Sequence, residues 1–331
     1  MFPGGLVTFA DAAEHPGDAL RQAPHAVIGI DGQPIGSERY QFTCEMVGEF
    51  LRPRLTNVGE TAWEVAEVIL FDWAHGLPGT CGVYGEGFTM LSQTGGTLAR
   101  PEDLGQFTDR QHYRLAEAPG QRTVYGVLNL ALPVGESLLL GFTSCHRFVG
   151  RFHVGPERIQ VAVATEGKRL LPGESWALEE LLVAHSSDRN ALQGKLAARL
   201  NTHHPRQPCP ELPTGWCSWY CFGPRVTAEN VMENLRVIDR QLPQLKYIQI
   251  DDGYQPWMGD WLDTGQAFGG GAQSVLEQIR GAGFEPALWV APFIASPQSK
   301  LFTEHPDWFV QDHQGHPLRS DTFTFGGWRL G

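Results

Sequence analysis

Two adjacent acids, Asp251 and Asp252, close the run Lys246-Tyr-Ile-Gln-Ile-Asp-Asp-Gly-Tyr-Gln255, and Trp257, Gly259, Asp260 and Trp261 follow closely. An apolar, β-branched run that stops abruptly at Asp-Asp-Gly is predicted to be a buried parallel strand opening into a βα loop. That is where α/β folds and barrels place their chemistry. Two carboxylates there can accept hydrogen bonds from vicinal hydroxyls while a nearby Trp packs the apolar side of a sugar ring. Asp and Gly also favour solvated turns, so the pair alone does not separate a binding site from a loop. A divalent metal held by the pair would need a third ligand, and none follows at a recognisable spacing.

Other reactive residues carry weaker patterns. His203-His204 falls in a Pro-rich stretch and His313 and His316 in a polar turn, neither with the Cys or Glu spacing of a zinc site. Cys217 and Cys221 are not a CxxC pair, and no GxSxG nucleophile elbow occurs. Gly82, Gly85 and Gly87, like the run Gly269-Gly270-Gly271, lack the strand-then-helix setting of a phosphate loop and are read as turns.

The elements that must position the acids change character along the chain. Up to about residue 200 the pattern is of short strands between turn residues: Ala26 to Ile30, Phe42 to Leu51, Trp63 to Phe71, Thr123 to Leu130, Leu138 to Phe142, Ile159 to Ala164 and Trp176 to Ala184. Such a series predicts a large β-sandwich over residues 1–200. A short helix within Val7 to Leu20 is interrupted by Pro16, and Asp188 to Leu200 has the composition of a longer one. Residues 201–213, with four prolines, read as a linker. After it, a strand at Trp216 to Tyr220, a helix opened by Thr227, a strand at Lys246 to Ile250, a helix at Ala272 to Ala282, a strand at Phe284 to Val290 and a helical turn at Leu301 to His305 give β-α-β-α-β order. Residues 214–331 then fit a doubly wound sheet or the opening of a (β/α)8 barrel. Three strands cannot close a barrel, and an open edge invites pairing between copies, so a homo-oligomer is among the expected partners.

Composition bounds the rest. The 331 residues carry a formal net charge of −12, with 42% apolar, 19% charged and 11% aromatic residues. A nucleic-acid backbone is a poor partner for that charge, and no Lys/Arg stripe reverses it locally. No apolar run approaches the ~18 residues of a membrane span, and the first 20 residues lack a basic start to an apolar stretch. Six scattered cysteines in a chain that needs no staples predict reduced, mostly buried thiols in a cytoplasmic protein.

Gly215-Trp-Cys-Ser-Trp-Tyr220, then Ile250-Asp-Asp-Gly-Tyr-Gln255 with Gly259-Asp-Trp261, then Leu288-Trp-Val-Ala-Pro292 with Ser296-Pro297 and His305-Pro-Asp-Trp308, together resemble successive βα-loop motifs of the α-galactosidases of glycoside hydrolase family 36. Raffinose- and stachyose-synthase relatives share much of this vocabulary. The resemblance implies a β-sandwich ahead of a TIM barrel, here its first three βα units. It also implies cofactor-free, retaining hydrolysis of terminal α-linked galactose by two carboxyls about 5 Å apart. On the same resemblance Asp251 and Asp252 bind the galactose hydroxyls at C4 and C6 without covalent chemistry, and Trp289 lines that subsite. Trp216, Trp219 and Trp261 complete the expected substrate-binding set. Three positions depart from the pattern: Ala291 stands where many members have Glu, Tyr254 where Trp is commoner, and Cys217 where a polar residue is usual. The nucleophile and acid/base are expected on the fourth and sixth strands, beyond Gly331, so the chain alone is expected to be inactive. A galactosyl transferase of the raffinose-synthase type, a non-catalytic carbohydrate-binding fragment and an unrelated metal-dependent α/β hydrolase remain as alternatives.

Overall fold

The computed structural model describes residues 16–89, 92–104, 117, 120–133, 135–207, 212–312, 314–319, 324–325 and 328–329. Cys209, His313 and residues 7–15 of the first helix expectation lie outside these. The chain divides into two compact units, Met1–Gln207 and Pro208–Gly331.

The first unit contains the strands β1 (Ala26–Gly29), β2 (Tyr40–Val47), β3 (Phe50–Asn57), β4 (Trp63–Ala74), β5 (Gly82–Glu86), β6 (Gln93–Gly96), β7 (Pro101–Asp103), β8 (Arg122–Ala131), β9 (Ser137–Phe142), β10 (Val149–Val154), β11 (Arg158–Leu170), β12 (Ser175–Ala177) and β13 (Leu181–Ser186). All pair antiparallel in one network whose main path runs β1-β4-β11-β10-β8-β9-β13-β3-β12. The path turns in β8, which pairs with β10 through Arg122 to Tyr125 and with β9 through Val127 to Ala131. Gly126 sits at the change of partner with φ 68°, a left-handed bulge conformation that favours glycine.

Side-chain alternation then sorts the faces. Leu138, Leu140, Leu181 and Val183 join Val65, Val68, Phe71, Trp73, Val161 and Val163 in one core, so both ends of the path bury side chains in the same cluster. Leu139, Leu182 and Ala184 point the other way, against Leu192 and Leu196 of the helix Arg189–His203. That helix is capped by Asp188, whose carboxylate accepts from the N–H groups of Asn190 and Ala191.

Several local expectations change here. The strand expected at Phe42 to Leu51 is a hairpin, broken at Gly48 with φ 61°. The strand expected at Trp176 to Ala184 is interrupted by Glu179 and Glu180, both buried. Gly82 and Gly85 are in β5 rather than a turn: a Cβ on Gly85 would come within 2.6 Å of Val124, so glycine allows the close approach of β8. The expected linker begins inside the helix, which continues to His203. Cys44, Cys81, Cys145, Cys217 and Cys221 are free thiols. Of these Cys81 is buried, Cys44 and Cys217 half-buried, and Cys145 and Cys221 exposed, so burial is less general than expected. Among the described residues no helix is long and apolar enough to cross a membrane.

The second unit is built on a three-stranded parallel sheet, β14 (Gly215–Cys217), β15 (Tyr247–Ile250) and β16 (Glu285–Leu288), in that order. Two helices, Ala228–Gln241 and Ala272–Gly281, connect the strands. Val231, Leu235 and Ile238, at helical spacing, pack with Val275 and Ile279 onto Ile248 and Ile250. Thr227 caps the first helix: its hydroxyl accepts from Asn230 N–H at 3.1 Å, and the Asn230 side chain accepts from Thr227 N–H at 3.1 Å. Asn therefore closes a capping box whose usual partner is Glu or Gln. Thr227→Ala is expected to lower the stability of this unit by about 1 kcal/mol in urea denaturation, with Thr227→Ser close to the parent. The first strand ends at Cys217, short of the expected Tyr220, because the Ser218 carbonyl accepts from Phe222 N–H and starts the helical turn Trp219–Phe222.

Candidate functional site

The site lies at the carboxyl ends of the parallel strands. The Ser218 N–H donates to the Gln249 carbonyl at 3.1 Å and the Trp289 N–H to the Ile250 carbonyl at 2.9 Å, so the first residues after the three strands lie side by side. One face of the sheet carries Ile248, Ile250 and Leu288 into the helix-covered core. The other face, with Gly215, Cys217, Tyr247, Gln249 and Ala287, lines a hollow of about 370 Å³. Asp251 continues the second set, because the Gln249 amide reaches its Oδ2 at 2.7 Å.

Asp251 is buried at 7% exposure, and each of its oxygens is engaged. Its Oδ2 accepts from the Gln249 amide and from the Cys217 thiol at 3.3 Å; its Oδ1 accepts from the Asp252 N–H at 2.9 Å. The Asp251 N–H donates to the buried Ser218 hydroxyl at 2.9 Å. Asp252 is enclosed, at 0% exposure, and its Oδ1 accepts from the Gln255 amide at 2.6 Å. Gln255 in turn accepts from Gly253 N–H at 3.2 Å. Gly253 has φ 120°, and a Cβ there would meet the Pro224 carbonyl oxygen at 2.5 Å, which explains glycine directly after the two acids. Burial, assisted by the Asp252 charge, pushes the Tyr254 hydroxyl up to about 12 and keeps it protonated.

The tryptophans divide. Trp289 and Trp261 meet edge to face, with ring centroids 6.0 Å apart. Trp216 alternates with Cys217 along the strand: it packs against the helix-side core, lies 6.4 Å from the Phe222 ring, and also contributes to the lining of the hollow. Trp219 is half-buried on the helical turn after the first strand. Asp260 holds the loop, accepting from the N–H groups of Lys300 and Leu301 at 3.3 Å each, at the start of the helix Lys300–Glu304. Gln249, Ser218 and Gln255 stand within the sequence motifs but are not among the expected site residues. For Gln249 the signal was available, since it is two residues before Asp251 on the same strand and so shares its face. His203, expected in the linker, instead donates from Nε2 to the Glu180 carboxylate at 3.0 Å in the first unit. Among the described residues no three His, Cys, Asp or Glu side chains are arranged to hold a metal ion.

With this geometry in place, residues 249–323 match the family model Melibiase. The chain is 29% identical over 174 residues to an A type blood α-D-galactosamine galactosaminidase of Flavonifractor plautii, covering 49% of this chain and 16% of that protein. It is 34% identical over 68 residues to an α-galactosidase of Escherichia coli, covering 18% and 10% respectively. Among solved structures, the α-galactosidase TtGalA of Thermus thermophilus, in complex with p-nitrophenyl α-D-galactopyranoside, superposes with a TM-score of 0.62 at 22% identity, covering 93% of this chain and 57% of that one. The same enzyme has been solved with stachyose. The chain is therefore similar, over part of its length, to glycoside hydrolases. More particularly, the resemblance is to the α-galactosidases of glycoside hydrolase family 36, over part of their length. The chain spans little more than half of the solved enzyme and a smaller share of the curated relatives it matches.

Proposed function

We propose that this chain carries the galactose-gripping part of an α-galactosidase-like retaining glycoside hydrolase, which releases terminal α-linked galactose from oligosaccharides. The observation that carries the reading is a buried carboxylate, Asp251, fixed as an acceptor at the mouth of a parallel sheet beside Trp289. The parallel sheet is then the first three βα units of a (β/α)8 barrel, and the first unit is the sandwich ahead of it. Asp251 accepts one sugar hydroxyl at Oδ1. Asp252 accepts another by exchanging it for the Gln255 amide, while Trp289 and Trp261 supply the apolar wall.

An axial hydroxyl read by a charged carboxylate separates galactose from glucose, because the wrong epimer leaves a buried acceptor without its donor. The covalent steps fall to other carboxylates. A nucleophile must present a free oxygen to the anomeric carbon, and the one open position on Asp251, at Oδ1, is taken by the sugar hydroxyl. We assign the nucleophile and the acid/base to strands beyond the three described. C2 lies away from the hydroxyls that the pair reads, so galactose and galactosamine are equivalent to it.

Titration calorimetry on the 331-residue chain tests the reading. Galactose is expected to bind, galactosamine to bind comparably, and glucose to bind at least ~10-fold more weakly. Equal affinity for galactose and glucose, or no binding of galactose, would overturn it. Mutation-sensitive turnover of p-nitrophenyl α-galactoside by the chain alone would overturn the placement of the covalent chemistry elsewhere.

A further inference from the structure

Cys217, Gln249 and Asp251 form a closed ring of hydrogen bonds across the first two parallel strands. Cys217 and Gln249 are register partners, and both line the hollow. One hydrogen of the Gln249 amide goes to Asp251 Oδ2 at 2.7 Å and the other to the Cys217 sulfur at 3.6 Å. The thiol hydrogen goes to the same Asp251 Oδ2 at 3.3 Å. With the Asp252 N–H on Oδ1, three of the roughly four lone-pair positions of a carboxylate are occupied.

We infer that Cys217 is a positioning residue, whose thiol fixes the Asp251 carboxylate so that Oδ1 is left with a single open acceptor position for one sugar hydroxyl. The inference rests on the galactose reading for the identity of that hydroxyl, but the ring of bonds stands independently of it. The arrangement requires sulfur to be both donor and acceptor: it gives its hydrogen to Asp251 and takes one from Gln249. Burial, with a further push from the neighbouring Asp251 carboxylate, raises the Cys217 thiol above its ordinary value, so the donor hydrogen is retained at neutral pH. Serine can fill both roles. Valine has a similar volume but neither donates nor accepts, and it would leave Oδ2 with one donor fewer and a Gln249 N–H without an acceptor.

Two measurements test this. In calorimetry, Cys217→Val is expected to weaken galactose at least ~10-fold and to narrow the galactose-over-glucose ratio, while Cys217→Ser stays within about 3-fold of the parent. A purely structural role for the thiol would weaken both sugars alike and leave the ratio unchanged. Parent-like binding by Cys217→Val, or an unchanged ratio, overturns the inference. The second measurement needs no sugar. The pH dependence of Cys217 alkylation by iodoacetamide, followed at that residue by peptide mass spectrometry, is expected to move to lower pH in Asp251→Asn, because the carboxylate that holds the thiol proton is gone. An unmoved alkylation profile overturns the inference. A parent chain that binds no galactose but shows the moved profile instead removes the galactose reading and leaves the thiol–carboxylate bond in place.

Discussion

Glu180→Ala is expected to destabilise the unit Met1–Gln207 by about 2–3 kcal/mol, below the ~3–5 kcal/mol of a fully buried pair because the Arg52 and Arg199 guanidinium groups keep partial access to water. The Glu180 side chain is only 6% exposed. Its carboxylate takes two hydrogen bonds from the Arg199 guanidinium, both at 2.6 Å, one from Arg52 at 2.8 Å and one from the Thr143 hydroxyl at 2.7 Å, with His203 Nε2 at 3.0 Å. Removing it leaves two guanidinium groups facing each other without the anion between them. It also cuts the helix Arg189–His203 from the segment between β12 and β13. Glu180→Gln keeps the shape but turns an amide N–H toward these donors, so most of the loss should remain.

The same cluster sets an acid limit. Burial alone would raise the Glu180 carboxyl, but the bonds from Arg199, Thr143, Arg52 and His203 outweigh it and hold the group far below the ordinary glutamate value of 4.5. A carboxyl lowered on folding contributes stability that is fully present above its unfolded value and is lost as pH falls toward its folded one. Thermal melts of the parent should therefore lose stability below about pH 4.5. In Glu180→Gln that acid dependence should be shallower, since only the remaining lowered carboxyls, Glu67 among them, contribute.

The partners of this cluster are far apart in the sequence. Trp176 to Ala184 has the apolar content of one strand, and two acids within it look like a solvated interruption. Glu180 can be buried only because Arg52 and Arg199 arrive from other elements, and Glu179 because the N–H groups of His146, Arg147 and Phe148 converge on it at 3.1, 2.8 and 2.9 Å. Neither fact has a local signature. The parallel strand ahead of Asp251 and the helix capped by Thr227 were legible for the opposite reason, since their signals lie in consecutive residues. Gly85 shows the limit of turn chemistry as a guide, because its reason is the neighbouring strand rather than its own backbone angle. At the site, the position of the acids and the shared face of Gln249 and Asp251 could be read from the sequence, but the approach of Cys217 from the neighbouring strand could not, because it depends on the register between strands.

Asp251→Asn is expected to reduce galactose affinity by ~30-fold or more, about 2 kcal/mol, although it changes neither the size nor the shape of the side chain. The carboxylate faces donors on both sides: the Gln249 amide and the Cys217 thiol at Oδ2, the Asp252 N–H at Oδ1. An Asn side chain has one oxygen and one NH2, so in either orientation its NH2 meets a donor. If it faces Gln249 the strand-end network breaks; if it faces Asp252, the open position on Oδ1 becomes a donor where the sugar also donates. Calorimetry with 4-deoxygalactose and 6-deoxygalactose separates these losses from a general weakening. For the parent, the analogue that lacks the hydroxyl bound by Asp251 should lose affinity, and for Asp251→Asn that analogue should bind no worse than galactose. The second deoxy sugar should lose the same factor on both proteins, because its missing hydroxyl belongs to Asp252. Coupling confined to one hydroxyl is what a single open acceptor position requires. Coupling to both hydroxyls, or to neither, would remove Asp251 from direct contact with the sugar as proposed.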